Sequence, residues 1–407
     1  MQTYLVGGAV RDARLNIATK DRDWVVVGST PQQMLELGYQ QVGADFPVFL
    51  HPQSKEEYAL ARTERKSGHG YAGFEVAFDA SVSLEEDLLR RDLTINAMAL
   101  SDDGTLIDPY GGEQDLNAGI LRHVSDAFRE DPLRVLRIAR FAARFAHLGF
   151  TIAAETEALL GEMSQSGELE HLVAERVWAE MSRALSEPTP AEFFRVLKRV
   201  GALKVIFPEL DALFGVPQTM RWHPEVDTGI HTLMALQYAR SKTQDITVLM
   251  AVLCHDLGKA LTPKETLPSH HGHEAVGADL SKTLAKRYKW PNAVARLVED
   301  VARFHTHCHR IAELKPSSTL KLLKNLQGFR QEEKVHQFAL ACEADFCGRS
   351  GFEHHHYPQA NILLRALDAC SQIQSHQFVA QGLTGKAIGE AIDQARIKAL
   401  HGLKANR

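Results

Sequence analysis

Apolar residues in this chain recur with two different periods, which restricts the fold to an α/β part followed by an all-helical part. TYLVGG, DWVVVG, FPVFLHP, EEYALAR and GFEVAF are short and rich in β-branched or aromatic residues, as strands are. Between them, AVRDARLNIA and PQQMLELGY carry helical spacing. SLEEDLLRRDLTINAMAL opens with a capping box, Ser83 to Glu86, and is expected to continue as a helix. The DPYGG turn follows, and the α/β part is expected to end near residue 120. From residue 126 strand signals fade, and EDPLRVLRIARFAARFAHLG, SGELEHLVAERVWAEMSRALS and PAEFFRVLKRVGAL keep the helical period. FPELDALFGVPQ, with two prolines and a glycine, marks a further boundary before IHTLMALQYA and ITVLMAVLCHDLGKA. The C-terminal quarter stays helical.

A 407-residue chain holds several domains, and 44% hydrophobic with 24% charged residues describes a soluble globular protein. ITVLMAVLC, the longest apolar stretch, is too short to cross a bilayer, and the N-terminus enters a strand without a signal-like core. A cytoplasmic protein without a membrane partner is expected. Five cysteines without a CxxC pair fit a reducing compartment. The net charge of −5 argues against a uniformly basic surface but leaves room for a local basic stripe. Many of the 20 histidines fall between residues 223 and 309, a clustering that points to a metal site.

In KDRDWVVVG, strand alternation puts Asp21 and Asp23 on one face, in a row continued by Val25 and Val27. Adjacent carboxylates repel, and no obvious local lysine relieves them. A divalent cation would relieve them, and Mg²⁺ commonly takes one or two carboxylates together with substrate phosphates. A solvated strand start would carry the same pair with no ligand. LVGGAVRD tips the balance. There a strand ends at Gly7-Gly8 and a helix begins, with Arg11 near its first turn, so backbone amides can approach a polyphosphate. The spacing is neither GxxxxGK[ST] nor GxGxxG.

Together, LVGGAVRD and DRDW resemble the head of the polymerase-β-type nucleotidyltransferases, in the bacterial branch of tRNA CCA-adding enzymes and poly(A) polymerases. RTERK (62–66), RRDLTINAMA (90–99) and EDPLRVLRIARF (130–141) are similar to that branch in the same order, so the likeness covers roughly the first half of the chain. The resemblance implies an α/β polymerase-β-like nucleotidyltransferase head over residues 1–120 and an all-α neck over 121–207. It also implies Mg²⁺ ions held by Asp21 and Asp23, which would activate an attacking hydroxyl and steady the leaving pyrophosphate. Gly8 and Arg11 would bind the nucleotide. Arg91 and Asn96, on the expected helix, would orient ribose or triphosphate, and Glu64 and Asp92 both stand open as a third carboxylate.

In EDPLRVLRIARFAAR, Pro132 suits the first helical position and Asp131 the N-cap. Arg134, Arg137, Arg140 and Arg144 fall within roughly a third of the helix circumference, while Leu133, Ile138, Ala142 and Phe145 turn toward a core. With no interleaved acid these arginines repel unless an anion joins them, which points to a phosphate-bearing ligand; a solvated charged face is the plainer alternative. The resemblance implies that Asp131 and Arg134 pair with the incoming base and that Arg137 and Arg140 also bind nucleotide. Cytosine and adenine both offer an exocyclic amine to a carboxylate and a ring nitrogen to an arginine. Uracil and guanine place a carbonyl oxygen where the amine should be.

Farther on stand His231, His255-Asp256, the HHGHE run (His270, His271, His273) and His305. HDLGK, with histidines upstream and downstream, resembles the HD phosphohydrolase domain, expected over 208–330 ahead of a helical tail of 331–407 that contacts tRNA. That resemblance assigns His231, His255, Asp256 and His305 to a transition metal such as Ni²⁺, whose bound water would cleave phosphate esters. Asp345 is a further candidate, His307 and His309 carry no assignment, and His354 to His356 read as a solvated loop. The implied whole adds nucleotides from CTP and ATP to the 3′ end of tRNA, as a monomer or homodimer. Its HD unit would add 2′,3′-cyclic phosphodiesterase, 2′-nucleotidase and phosphatase activities. A poly(A) polymerase, or a phosphohydrolase whose head senses nucleotides, are the alternatives; the HD unit and the lack of a strongly basic tail count against the first.

Overall fold

The computed structural model describes residues 1–19, 22–42, 48–66, 74–77 and 80–405. The chain divides into two compact units, Met1–Ala184 with Glu192–Ile206, and Leu185–Ala191 with Phe207–Arg407.

The first unit opens with strands β1 (Gln2–Val6), β2 (Asp23–Val27), β3 (Gln40–Val42), β4 (Val48–Leu50), β5 (Glu57–Leu60), β6 (Thr63–Lys66), β7 (Phe74–Ala77), β8 (Ala99–Ser101) and β9 (Leu106–Ile107). Helices α1 (Gly8–Arg14), α2 (Pro31–Glu36), α3 (Leu84–Leu89) and α4 (Gly112–Ala118) lie among them in sequence. Seven strands make one sheet in the order β3-β4-β5-β2-β1-β8-β9, in which β2 and β5 are parallel and the other neighbours antiparallel. β6 and β7 form a separate antiparallel pair. Central strand β2 is covered on both sides. Val25 packs with Val6, Leu84, Leu88 and Ala99 on one face, and Val26 with Met34, Phe49 and Leu60 on the other. Burial on both faces is why this strand reads as the unbroken run WVVV. β3 and β6 escaped the sequence reading because QQV and TERK carry no apolar pattern.

One expectation fails between Ser83 and Leu100. The capping box forms, with the Glu86 amide donating to Ser83 Oγ at 3.2 Å and the Ser83 amide to Glu86 Oε2 at 2.8 Å. The helix nevertheless ends at Leu89. Asp92 Oδ1 takes the Leu93 amide at 2.9 Å, a local bond that competes with the helical ladder. Thr94–Asn96 form a 3-10 turn, and Ala99–Ser101 become β8 beside β1. Gly112 seals the turn, since a Cβ there would stand 2.2 Å from the Thr94 oxygen.

Helices α5 (Arg134–Phe145), α6 (Ala154–Gln165), α7 (Ala174–Ser186), α8 (Pro190–Arg199) and α9 (Ala202–Ile206) follow. α5 starts later than Pro132 implied. Leu133 is its N-cap, and Asp131 instead takes the Leu133 amide through Oδ1 at 3.0 Å. Leu133, Ile138, Ala142 and Phe145 are buried, as their spacing implied.

The second unit is helical: α10 (Pro208–Asp211), α11 (Thr228–Lys242), α12 (Ile246–Cys254), α13 (His273–Arg287), α14 (Asn292–His309), α15 (Pro316–Asn325), α16 (Glu332–Cys347), α17 (Pro358–Ser371), α18 (His376–Val379) and α19 (Lys386–Ala405). α12 packs on α11, α14 and α16, and α13 packs on α14. ITVLMAVLC is apolar on every side because α12 is the central helix, with Val248 through Cys254 all buried. The turn that follows, Leu257–Leu261, presses on α13: a Cβ at Gly258 would stand 2.0 Å from the His273 oxygen and 2.6 Å from the Gly277 nitrogen. All five cysteines are buried and free. No helix among the described residues is long and apolar enough to cross a membrane.

Candidate active sites

β1 enters α1 through Gly7, whose φ of 68° favours glycine. A Cβ at Gly7 would stand 2.8 Å from Arg91 Nη1, and one at Gly8 would stand 3.4 Å from Arg11 Nη2. The bend therefore leaves room at Gly7 for the Arg91 guanidinium, while a side chain at Gly8 would only touch that of Arg11. Strand register sets Asp23 opposite Val6, at an exposed strand end beside that bend. Asp21 and the side chain of Glu64 lie outside the described residues.

Three expectations about this region change. Arg91 lies just past α3 rather than within it; its Nη2 donates to Asp87 at 3.3 Å and its Nη1 to the Asn96 carbonyl at 3.4 Å, while Nε is buried without a hydrogen-bond partner. Asn96 is buried in the 3-10 turn, not exposed on a helix; it accepts from Arg11 and donates to Asp92 Oδ1 at 2.8 Å. Asp92, one of the two candidates for a third carboxylate, is not free here. Its Oδ2 accepts from Arg137 Nε and Nη2 at 2.9 and 2.6 Å. Burial would raise the Asp92 pKa, but the Arg137 charge and the hydrogen bonds from Asn96 and Arg137 hold it well below the usual carboxylate range. Arg11 is itself interior, with Nε donating to Asp12 at 2.8 Å, and burial pulls its pKa down.

The arginine row on α5 also differs from expectation. Three of its four members already meet carboxylates from remote segments. Arg137 meets Asp92, Arg140 Nε donates to Glu180 at 2.7 Å, and Arg144 Nη2 donates to Asp12 at 2.8 Å. Arg134 donates to the carbonyls of Arg90 at 2.6 Å and Ala127 at 3.1 Å. Asp131 Oδ2 accepts from Arg176 Nη2 at 3.0 Å.

In the second unit the histidines converge. His231 on α11, His255 and Asp256 after α12, His273 opening α13, His305 on α14 and Asp345 on α16 are all buried. Among the described residues three groups have their ligand atoms close enough to share an ion: His231, His255 and Asp345; Asp256, His273 and His305; and, less buried, His223, Glu225 and His231. Three imidazoles are fixed by backbone carbonyls. Nδ1 of His255, His273 and His305 lies 2.7, 2.6 and 2.9 Å from the oxygens of Val252, His270 and Val301. A neutral ring that donates through Nδ1 presents Nε2 as a bare lone pair. These lone pairs face carboxylates. His255 Nε2 lies 3.1 Å from Asp256 Oδ2, and His273 and His305 Nε2 lie 3.4 and 3.7 Å from Asp256 Oδ1.

Acceptors aimed at one another in a dry site need a cation between them. His255 Nε2 and Asp256 Oδ1 are buried without a hydrogen-bond partner. Burial opposes a charge on His255, yet Asp256 and Asp345 overcome it and raise its pKa to about 9, so without a metal a proton on Nε2 supplies the positive charge that these carboxylates call for and that a bound ion would replace. Burial drives His305 down to about 3, which leaves it a neutral ligand at neutral pH. Nitrogen and carboxylate donors in this mixture suit a divalent transition metal. Lys259 Nζ, 2.6 Å from Asp256 Oδ2, adds a cation at the edge of the group.

Relatives place the chain. A multifunctional CCA protein of Hahella chejuensis is 59% identical over 404 residues, covering 99% of this chain and 96% of its own length. Another, of Thioalkalivibrio sulfidiphilus, is 58% identical over 405 residues, covering 100% and 99%. The chain belongs to the multifunctional CCA protein family. Family profiles agree along its length: "Poly A polymerase head domain" matches residues 3–122, "Probable RNA and SrmB- binding site of polymerase A" 149–214, and "HD domain" 228–346. The Thermotoga maritima CCA-adding enzyme complexed with tRNA has the same fold, with a TM-score of 0.63 at 21% identity over 98% of this chain and 87% of that one. CCA-adding enzyme structures with ATP and with CTP give TM-scores of 0.63 and 0.62 at 22% identity, covering 98% of this chain and 86% and 87% of theirs.

For this multifunctional CCA family member, sequence reasoning brought His231, His255, Asp256 and His305 to one place, where the structure also puts them. His273 was visible in HHGHE but left without a role, and Asp345 was held open. His223 and Glu225 were missed: Glu225 Oε1 lies 3.1 Å from His223 Nδ1 and 2.9 Å from His231 Nδ1. The signal was their closeness to His231 in sequence. His354 to His356 are exposed, in keeping with a solvated loop.

Proposed function

We propose that this chain builds and repairs the 3′-terminal CCA of tRNA from CTP and ATP, and that its HD unit hydrolyses phosphate esters. The observation that carries the first half is the register of Asp23 against Val6, which sets a carboxylate beside the diglycine bend and its two arginines. The names of the relatives, and the tRNA, ATP and CTP bound by structural neighbours, support the same reading. Asp21 and Asp23 would hold magnesium, which when bound supplies positive charge against the triphosphate. Arg91, with a buried Nε still lacking a partner, would turn toward the triphosphate. Asp131, oriented by the Leu133 amide and Arg176, keeps lone pairs for the exocyclic amine of cytosine or adenine, and Arg134 would face the ring nitrogen. Residues 1–120 act as head and 121–207 as neck; the HD unit extends past residue 330 to include Asp345 on α16.

For the second half, His231, His255, Asp256, His273, His305 and Asp345 would hold nickel or another transition metal. When bound, such an ion supplies a water acidic enough to attack a phosphate ester at neutral pH. Lys259 would offset charge on the phosphate. The 2′,3′-cyclic phosphodiesterase, 2′-nucleotidase and phosphatase reactions fit this chemistry. A tRNA lacking CCA, incubated with CTP and ATP together, tests the main reading: extension should stop after three additions. A long adenylate tract would favour a poly(A) polymerase, and no incorporation at all would leave only the phosphohydrolase.

A further inference from the structure

His309, at the C-terminal end of α14, approaches the histidine cluster from behind one of its carboxylates. Its Nε2 lies 2.7 Å from Asp345 Oδ2, and its Nδ1 lies 2.8 Å from the Tyr357 hydroxyl. An ionised Asp345 can only accept, so Nε2 carries hydrogen; in the neutral ring Nδ1 is then a lone pair to which the phenol can donate. The Tyr357 hydroxyl also lies 3.6 Å from Cys308 Sγ, a longer and weaker contact. Tyr357 is 5% exposed. With Oδ2 held by His309, Asp345 turns Oδ1 toward His231 Nε2 at 3.1 Å and His255 Nε2 at 3.6 Å, with Arg349 Nη2 also 3.6 Å away.

We propose that Tyr357 and His309 are positioning residues for a metal ion at His231, His255 and Asp345, holding the Asp345 carboxylate in one orientation. This rests on the reading that the HD cluster binds a divalent ion. The pair runs from α14 to the residue before α17, so two segments that supply no ligand to the His231, His255 and Asp345 trio fix the rotation of Asp345. A hydrogen bond of this kind orients a ligating oxygen and tunes its basicity, and its loss commonly costs about ten- to a hundredfold in metal affinity.

The test uses full-length protein titrated with Co²⁺, following the visible absorption of the bound ion, with CCA addition measured in parallel. His309→Ala should weaken Co²⁺ binding by about ten- to a hundredfold and change the absorption bands. His309→Gln, whose amide can still donate to Asp345, should recover most of the affinity, and Tyr357→Phe should fall between wild type and His309→Ala. CCA addition should be unchanged in all three. Wild-type affinity and spectrum in His309→Ala and Tyr357→Phe would overturn the proposal, as would a His309→Gln variant no better than His309→Ala. Failure of the underlying metal reading looks different: wild type would bind no Co²⁺, or His255→Ala would bind it as well as wild type.

Discussion

At Asp92, four hydrogen bonds fall on one carboxylate: two from Arg137, one from the Leu93 amide and one from Asn96. Asp92→Asn should cost on the order of 2 kcal/mol in urea unfolding, less than a fully buried pair because the Arg137 side chain is 34% exposed. The folded pKa is depressed, so this stability is present above the unfolded carboxyl pKa of about 4 and is lost as pH falls below it. The gap between wild type and Asp92→Asn should therefore begin to narrow below about pH 4 and close only as pH falls toward the depressed folded pKa in unfolding experiments. Asp131→Ala tests the base-reading assignment. It should relax selection of CTP and ATP over UTP and GTP by about tenfold or more in primer extension, the scale of one or more lost hydrogen bonds; unchanged selectivity would remove Asp131 from that role. The bend and Asp23 were legible because alternation and a local turn determine them. The partners of the arginine row were not, because Asp92, Glu180 and Asp12 lie 45, 40 and 132 residues from the arginines they meet.

Elements carry the next lesson. A strong capping box begins α3, and nothing in the periodicity of RRDLTINAMAL announces that the helix stops within a few residues. What ends it is tertiary: Asp92 bonding back to the Leu93 amide, Gly112 packed on Thr94, and the free edge of β1 waiting for β8. The HD turn shows the same dependence on a neighbouring helix. Gly258→Ala would drive a methyl into the backbone of α13, which must move and take His273 with it. Overpacking of this kind costs about 1–3 kcal/mol. The expected result is weakened metal binding and lost phosphodiesterase activity, with CCA addition retained; a fully active hydrolase would contradict the close packing.

Over the whole molecule, the proposed function assigns separate chemistry to the two compact units, and variants should separate it. Asp23→Ala should abolish nucleotide incorporation while leaving hydrolysis of a 2′,3′-cyclic nucleotide in place. His255→Ala should do the reverse. A mutant in either centre that loses both activities while keeping its wild-type unfolding profile would mean that the centres depend on each other. The HD cluster was partly legible because HDLGK is contiguous. Asp345 and His309 were harder to place: their link spans 36 residues and forms only when α14 and α16 pack together.

Main-chain oxygens of Val252, His270 and Val301 grip three imidazoles by their far nitrogens. Rings braced this way are aimed before any guest arrives. Nickel, cobalt and zinc would then meet the same rigid frame, and their ranking should follow electronic preference for that geometry more than ionic radius.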